Sequence, residues 1–174
     1  MNRENREKII SKIQSAWTGH STFAQWLVNE TKPTTIVDLG VDYGFSTFTL
    51  ALPQIGTVYG IDAFQSDPQT GEHPDQLRQV VDSLRALQLD NIEIVQGYFS
   101  DVAEKWEKPI DILHIDGYHS YEAVKGDFDQ WSKFLTDNGV ILFHDTCVYQ
   151  DGFGVRKFFK ELDWPKLNFK NSSG

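Results

Sequence analysis

Short apolar runs alternate along this chain with longer segments in which apolar residues recur every three or four positions. The short runs predict β-strands, and the longer segments predict helices that bury one face. The predicted strands are 35–39, 57–61, 91–95, 110–115 and 139–143. The predicted helices are 4–17, 20–30, 45–52, 75–89, 100–107, 120–135 and 153–162.

Regular alternation of strands and helices predicts an α/β fold, in which right-handed crossovers join the strands of a mostly parallel sheet. The near-continuous apolar run 110–115 suits a strand that has helices on both of its faces. With 174 residues, the chain is long enough for one domain with a substantial core. We interpret 1–33 as an N-terminal helical cap and 34–174 as the core that binds a cofactor.

The charge of the chain argues against a nucleic-acid enzyme. The formal net charge is −9, whereas binding to a phosphate backbone requires a basic surface. The charged N-terminus lacks the apolar stretch of a secretory signal, and no apolar run is long enough to span a bilayer. A single cysteine, Cys147, excludes an internal disulfide. These features favour a cytoplasmic protein without a membrane span.

A turn that contains two glycines follows the first predicted strand. Gly40 allows the backbone to approach a ligand, and Gly44 opens the next helix. Asp42 stands where dinucleotide enzymes usually have a glycine, and its carboxylate would repel a pyrophosphate. The turn therefore suits a cofactor with a cationic end, such as the amino-acid part of S-adenosylmethionine. Asp38 can hold that ammonium group directly or through water, or it can simply cap the turn.

Further cofactor contacts are predicted at the ends of the second and third strands. Asp62 is placed to accept hydrogen bonds from two ribose hydroxyls, unless it only points into solvent. Tyr98 and Ser100 are placed at the edge of an adenine ring, although Ser100 can equally cap a helix. The predicted cofactor-binding residues are Asp38, Gly40, Gly44, Ser46, Asp62, Ala63, Gly97, Tyr98, Ser100 and Asp116.

Histidines and aspartates are densest at the ends of the fourth and fifth predicted strands. Four of them can meet over the cofactor: Asp116, His119, His144 and Asp145. Two carboxylates with imidazole suit a divalent metal such as Mg²⁺ or Mn²⁺, which would orient and acidify an acceptor hydroxyl. His119 or Asp116 can then take the hydroxyl proton as a general base. His114 is better explained as a satisfied core histidine, and His144 can also serve only the core.

A long polar stretch, 65–74, follows the second predicted strand at the same edge of the sheet as the predicted site. A loop of this length is more often functional or mobile than structural. It predicts a lid or an acceptor-binding loop, with a merely solvated loop as an equal alternative.

Four segments carry a resemblance to a known family. They are 38–47, 60–62, 113–124 with Asp127-Phe128, and 139–146. Together they resemble class I S-adenosylmethionine-dependent methyltransferases, most of all the group of macrocin and rhamnosyl O-methyltransferases. The resemblance is closest to the methyltransferase domains that stand beside glycosyltransferases in surface-polysaccharide proteins, and segment 16–27 also fits that subgroup.

The resemblance implies methyl transfer to a sugar hydroxyl and therefore a carbohydrate acceptor. It implies a divalent ion near Asp116 and the pair His144 and Asp145, although related enzymes have an acidic or amide residue in place of His144. His119 stands three residues after the first metal-binding acid, where catechol-type enzymes have a lysine base. A homo-oligomer or an association with a glycosyltransferase is also compatible with the resemblance.

The family fold implies the strand order 3-2-1-4-5, followed by a sixth strand and an antiparallel seventh. In this chain 166–169 can form a remnant of the sixth strand, and no segment remains for the seventh. We therefore expect a Rossmann-like methyltransferase fold that is truncated at its C-terminus. Its last segment should be displaced, disordered or completed by another subunit.

These features predict an S-adenosylmethionine-dependent O-methyltransferase, and three rival functions remain. A nicotinamide-dependent oxidoreductase would use Asp62, but Asp42 and the missing third glycine of the fingerprint argue against it. A non-catalytic remnant would bind the cofactor without turnover. A metal hydrolase would use the histidines and aspartates to activate water.

Overall fold

A computed structural model describes residues 1–65, 71 and 75–169 of the chain. Its strands are β1 (Thr35–Leu39), β2 (Thr57–Asp62), β3 (Ile92–Gln96), β4 (Ile110–Ile115) and β5 (Leu135–Phe143). Within the described residues these strands form one parallel sheet in the order β3-β2-β1-β4-β5. The predicted α/β fold and strand order are therefore confirmed.

Helices cover both faces of this sheet because successive residues of a strand point to opposite sides. The helices are α1 (Arg3–Ile10), α2 (Ser21–Thr31), α3 (Phe45–Ala51), α4 (Gln76–Leu87), α5 (Phe99–Ala103), α6 (Tyr121–Trp131) and α7 (Val155–Glu161). In β1, the fully buried Ile36 joins the core on the side of α2, α3 and α4. Its neighbour Val37, also fully buried, joins the core on the side of α6 and α7.

The predicted helix 4–17 is two elements in the structure. Helix α1 ends at Ile10, and a 3₁₀ helix, Ala16–His20, begins after Ser15. The Ser15 hydroxyl accepts a hydrogen bond from the Trp17 backbone N–H at 3.1 Å. Serine side chains that bond nearby backbone groups favour caps over helix interiors, which explains the break.

The predicted remnant of a sixth strand is wrong, because 166–169 has no strand pairing in the structure. The Lys166 ammonium instead donates to carbonyls at the end of α7, including that of Phe159 at 2.8 Å. Phe169 packs against Phe23 of α2, with ring centroids 4.9 Å apart. Within the described residues, β5 therefore pairs with β4 alone.

Two sequence predictions concern residues outside the described ranges. The proposed lid or acceptor loop falls mostly on 66–70 and 72–74, and the predicted fate of the last segment falls on 170–174. Every helix in the described ranges is too short or too polar to span a bilayer.

Candidate active site

A cavity of about 610 Å³ opens beyond the carboxyl ends of the strands, where most predicted site residues converge. The predicted residues that line it are Gly40, Ser46, Asp62, Ala63, Gly97, Tyr98, Asp116, His119, His144 and Asp145. Three other predicted residues, Asp38, Gly44 and Ser100, are not part of its lining. Open α/β sheets bind ligands at this edge, so the cavity is the candidate active site.

The wall of the cavity at the end of β1 depends on a glycine. Gly40 has a φ of 99°, and a Cβ atom added to it would lie 2.0 Å from the backbone oxygen of Asp116. The turn after β1 therefore packs directly against the end of β4. Gly44 has a different role, because a Cβ atom added there would lie 2.4 Å from the Phe48 ring in α3. Gly44 shapes the start of a helix and does not face the ligand.

Asp62, at the end of β2, is held in one orientation by backbone donors. Its Oδ2 atom accepts hydrogen bonds from the N–H groups of Val41 and Asp42 at 2.9 and 3.1 Å. Its Oδ1 atom accepts from the N–H of Phe64 at 2.7 Å. Oδ2 is therefore saturated, but Oδ1 can accept a further bond, so Asp62 stays available to a ligand hydroxyl in the cavity.

The end of β3 supplies part of the predicted adenine contacts. Gly97 and Tyr98 line the cavity, and the Tyr98 hydroxyl donates to Gln65 Oε1 at 2.7 Å. Ser100 is exposed on α5, where its hydroxyl donates to Asp101 at 3.3 Å. The prediction that Ser100 contacts adenine therefore does not fit this geometry.

Asp38 is fully buried beneath the cavity, and its carboxylate is occupied by protein donors. Its Oδ1 atom lies 2.6 Å from His114 Nδ1. Its Oδ2 atom accepts from the hydroxyls of Ser46 and Thr47 at 2.8 and 2.5 Å. The predicted direct contact between Asp38 and a cofactor ammonium is therefore not compatible with the structure. Asp38 instead ties β1 to β4 and α3.

His114 is a satisfied core histidine, as its place on an apolar strand predicted. It is 1% exposed, and its Nε2 atom accepts a hydrogen bond from the Trp17 indole N–H at 3.0 Å. Because Nε2 is an acceptor, the hydrogen of the ring lies on Nδ1 and is donated to Asp38. Trp17 also lines the cavity, so the N-terminal segment contributes both to the core and to the site.

The other histidines and aspartates form a cluster at the cavity surface. His119 Nε2 lies 3.0 Å from Asp145 Oδ2 and 3.8 Å from Asp116 Oδ1. His144 Nδ1 lies 3.2 Å from Asp145 Oδ1 and 3.4 Å from Asp116 Oδ1. The His119 ring stacks on Phe153, with centroids 4.4 Å apart. The four side chains that the sequence predicted to meet do so.

The charges of this cluster stabilise one another. Burial disfavours the charged imidazoles, but hydrogen bonds to Asp116 and Asp145 outweigh it and raise the pKa of His119 to about 9 and that of His144 to about 10. Burial likewise opposes the charged carboxylates, but hydrogen bonds from both histidines lower the pKa of Asp145 to about 2. The pKa of Asp116 is also lowered for this reason. Without a ligand, the cluster therefore contains two imidazolium cations, His119 and His144, paired with two carboxylate anions, Asp116 and Asp145.

A family model described as a methyltransferase domain matches residues 37–146, which contain most of β1, the strands β2 to β5 and every residue of this cluster. The chain belongs to the methyltransferase domain family. The predicted resemblance is therefore confirmed at the level of the family. The narrower resemblance to macrocin and rhamnosyl O-methyltransferases stays a prediction.

One relative of this methyltransferase domain is protein y4gI of Sinorhizobium fredii (strain NBRC 101917 / NGR234). The two are 34% identical over an alignment of 168 positions, and the alignment covers 92% of this chain. The chain spans only 18% of the length of that relative. This methyltransferase domain therefore has a counterpart inside a much longer protein.

Solved structures share the fold. The O-methyltransferase from Bacillus cereus, in complex with S-adenosylhomocysteine (SAH), has a TM-score of 0.68 and 18% identity, over 91% of this chain and 76% of that one. The O-methyltransferase TomG from Streptomyces achromogenes, involved in tomaymycin synthesis and in complex with S-adenosylmethionine, has a TM-score of 0.66 and 16% identity, over 87% and 76%. At these identities the likeness shows the fold alone, and it confirms the Rossmann-like methyltransferase fold.

Part of the cluster fits a divalent ion. One possible ligand atom from each of Asp116, His144 and Asp145 lies within 4.8 Å of the others. Two carboxylates and one imidazole are a donor set that magnesium or manganese accepts. Asp145 has a φ of 57°, an uncommon backbone conformation outside glycine that often marks functional sites. The residues present therefore fit the predicted ion.

Sequence reasoning gave no role to Asp127, which also lines the methyltransferase cavity. Asp127 lies on α6 between the buried residues Val124, Phe128 and Trp131. Residues at this spacing share one face of a helix, and an acid on an apolar face is unusual. That break in the apolar stripe is the signal from which the sequence alone could have identified Asp127.

Proposed function

We propose that this methyltransferase domain transfers a methyl group from S-adenosylmethionine to a hydroxyl of a carbohydrate. One observation carries the proposal: the cavity joins a carboxylate placed for ribose, Asp62, to a cluster of acids and histidines within the same space. The family of the chain supports a methyltransferase. The two solved O-methyltransferases, which contain SAH and S-adenosylmethionine, support this cofactor and an oxygen acceptor.

The cofactor would lie along the ends of β1 to β3. Asp62 accepts from a ribose hydroxyl, and the backbone at Gly40, which packs against the end of β4, lines the part of the cavity left for the amino-acid end. Because Asp38 is buried, Asp42 and Asp116 are left as carboxylates near a cationic sulfonium and ammonium. Asp42 accepts a hydrogen bond from Gln76 Nε2 at 2.6 Å, which orients it at the cavity wall.

The acceptor would lie over the cluster at the ends of β4 and β5. Asp116, His144 and Asp145 would hold a magnesium or manganese ion, which, when bound, orients an acceptor hydroxyl and lowers its pKa. The acceptor oxygen forms the new bond to the methyl carbon while the bond from that carbon to sulfur breaks. SAH leaves, and the hydroxyl proton would pass to the neutral form of His119, which forms when a bound ion takes up the carboxylates of Asp116 and Asp145 that otherwise keep this ring protonated. Holding the two reactants in line supplies much of the acceleration.

The carbohydrate acceptor rests on two supports. The first is the resemblance of the segments around Asp116 and His144 to sugar O-methyltransferases. The second is the number of polar side chains around the cavity, including Gln65 and Gln76, which suit a ligand with many hydroxyls. An association with a glycosyltransferase follows from the same resemblance and stays a prediction.

Calorimetric titration with SAH tests the cofactor site. We expect saturable binding to the wild-type protein, loss of that binding in Asp62→Ala, and retention in Asp82→Ala, a matched change at an exposed acid of α4. Thermal unfolding checks that both variants are folded. Binding of a nicotinamide cofactor in place of SAH would overturn the assignment.

Turnover is then measured with S-adenosylmethionine, Mg²⁺ or Mn²⁺, and a panel of sugars and glycosides. Methylation of a sugar that stops on chelation supports the full proposal. SAH binding without turnover on any sugar would favour a non-catalytic domain. Methylation of a phenol with no sugar activity would correct the acceptor class.

A further inference from the structure

We propose that Asp127 recognises the base of the cofactor, by accepting a hydrogen bond from the exocyclic amino group of adenine. The inference rests on the proposed function, because it assigns a residue to one end of the same cavity. It adds a determinant of cofactor specificity on α6, an element outside the strand ends that supply the other contacts.

The first support is the place of Asp127 in the cavity. A Cβ atom added to Gly117 would lie 3.1 Å from Asp127 Oδ2 and 2.5 Å from the Phe99 ring. The carboxyl of Asp127, the backbone after β4 and the Phe99 ring therefore meet at one point. Phe99 directly follows Gly97 and Tyr98, the cavity residues at the end of β3. This is the end of the cavity where the base would lie if Asp62 held the ribose.

The second support is the lack of a protein partner. Among the described residues, no hydrogen bond or ion pair involves the Asp127 side chain, although the residue is only partly exposed. Buried polar groups nearly always have a partner, so this carboxyl is suited to one supplied by a ligand. Asp129, two residues further along α6, is exposed and pairs with Lys125. Asp127 therefore faces the cavity, whereas Asp129 is an ordinary surface acid and serves as its control.

The third support is chemical. Burial raises the pKa of Asp127 to about 7, so its neutral form is populated near neutral pH. The neutral carboxyl carries an O–H donor beside a carbonyl acceptor. Adenine presents the complementary pair, a ring nitrogen acceptor beside an amino donor. An ionised carboxyl also accepts from the amino group, so the recognition does not depend on one protonation state.

The test compares SAH with an analogue in which hydrogen replaces the 6-amino group of the base. Calorimetry measures the Kd of both ligands for the wild type, Asp127→Ala, Asp127→Asn and the control Asp129→Ala. We expect the wild type and Asp129→Ala to bind SAH roughly tenfold more tightly than the analogue. In Asp127→Ala this preference should vanish, with the Kd of the analogue little changed. Asp127→Asn should restore it, because an amide oxygen also accepts from the amino group.

Three results would overturn the inference, each in a different way. If the wild type binds SAH and the analogue equally, or Asp127→Ala keeps the wild-type preference, Asp127 does not read the base although the cofactor site stands. If the wild type binds neither ligand while folded, the proposed function fails and the inference fails with it. A change in sugar KM alone in Asp127→Ala would instead place this carboxyl in the acceptor site.

Discussion

Two groups of aspartate and histidine lie on neighbouring strands of the sheet and have opposite surroundings: one lies within β1 and β4, and the other follows β4 and β5. The closed pair is Asp38 and His114, whose atoms lie 2.6 Å apart with 0% and 1% of the side chains exposed. The open cluster consists of Asp116, His119, His144 and Asp145. Its contacts are 3.0 to 3.8 Å long, and three of its side chains are 12% to 22% exposed.

The difference shows what separates a structural carboxylate from a reactive one. Asp38 accepts hydrogen bonds from His114, Ser46 and Thr47. The other ring nitrogen of His114 accepts a hydrogen bond from the Trp17 indole N–H. Nothing is left for a ligand. The carboxylates of the open cluster share the same two histidines at longer distances and face the cavity. Residue type alone does not decide the role, because burial does: Asp38 is fully buried, whereas the carboxylates of the open cluster line the cavity.

The largest expected effect comes from breaking the closed pair. Asp38→Ala leaves the His114 Nδ1–H and two hydroxyls buried without an acceptor. We expect a loss of about 3–5 kcal/mol in the free energy of unfolding, as for other buried pairs that lose one partner. Urea unfolding at pH 7 measures it. Asp137→Ala, at an exposed acid of β5, is the control and should change little. A loss below about 1 kcal/mol in Asp38→Ala would contradict the structural role of the pair.

A smaller decrease in the free energy of unfolding is expected when the pH is raised, because the histidines of the open cluster then lose their protons. The folded-state pKa values of His119 and His144, about 9 and about 10, exceed the value of 6.5 for an unpaired histidine. Their stabilising contribution is therefore complete below pH 6.5 and is lost as pH rises through 9 to 10. In the presence of a chelator, we expect the free energy of unfolding to fall by on the order of 2 kcal/mol when the pH rises from 7 to 8.

The control for this pH dependence is Asp145→Asn, which removes one partner of both histidines. Other groups also titrate at high pH, so the informative quantity is the difference between wild type and variant. Equal slopes in the two proteins would show that the pairing with Asp145 does not stabilise the fold.

The fold could be predicted from the sequence to a large extent, since apolar runs between turn residues mark the strands. β5 shows the limit. The sequence predicts this strand only from 139, because Thr136, Asp137 and Asn138 have the composition of a turn. In the structure the strand begins at Leu135. Polar residues are tolerated there because the pairing with β4 is irregular: Leu135 pairs with Ile110 and Val140 with Ile112, so residues 136–139 bulge out of the ladder. Tertiary position outweighed local preference.

The site could be predicted as a set of residues, but the partners of each residue could not. The meeting of Asp116 with His144 follows from the ends of neighbouring strands. The burial of Asp38 depends on its register opposite His114 in β4 and on Trp17, which is 97 residues from His114. No local pattern encodes such a contact. Asp127 interrupts the apolar stripe of α6, which the sequence shows, but what its carboxyl faces emerges only once α6 is packed beside Gly117.

A change with little effect on stability should separate the open cluster from the closed pair by function. Asp145→Asn keeps the side-chain shape, and asparagine tolerates the φ of 57° at this position. We expect the free energy of unfolding at pH 7 to fall by about 1 kcal/mol. Manganese affinity should fall about tenfold or more, while SAH affinity without metal should be retained. Asp137→Asn is the surface control. Unchanged manganese affinity in Asp145→Asn would remove Asp145 from the metal site.

The smallest effect calibrates the others, because it touches neither group. Gly126 lies inside α6, and a Cβ atom added to it would have no atom within 4 Å. Gly126→Ala should raise the free energy of unfolding by about 0.5–1 kcal/mol, because alanine loses less backbone entropy in a helix. Gly40→Ala, the same exchange against the Asp116 backbone, should instead destabilise the fold. If Gly126→Ala were also destabilising, the space beside position 126 of α6 would not be open as the structure shows. The decreases in unfolding free energy in Asp38→Ala and Asp145→Asn could not then be attributed to lost hydrogen bonds until another neutral substitution had served as the reference.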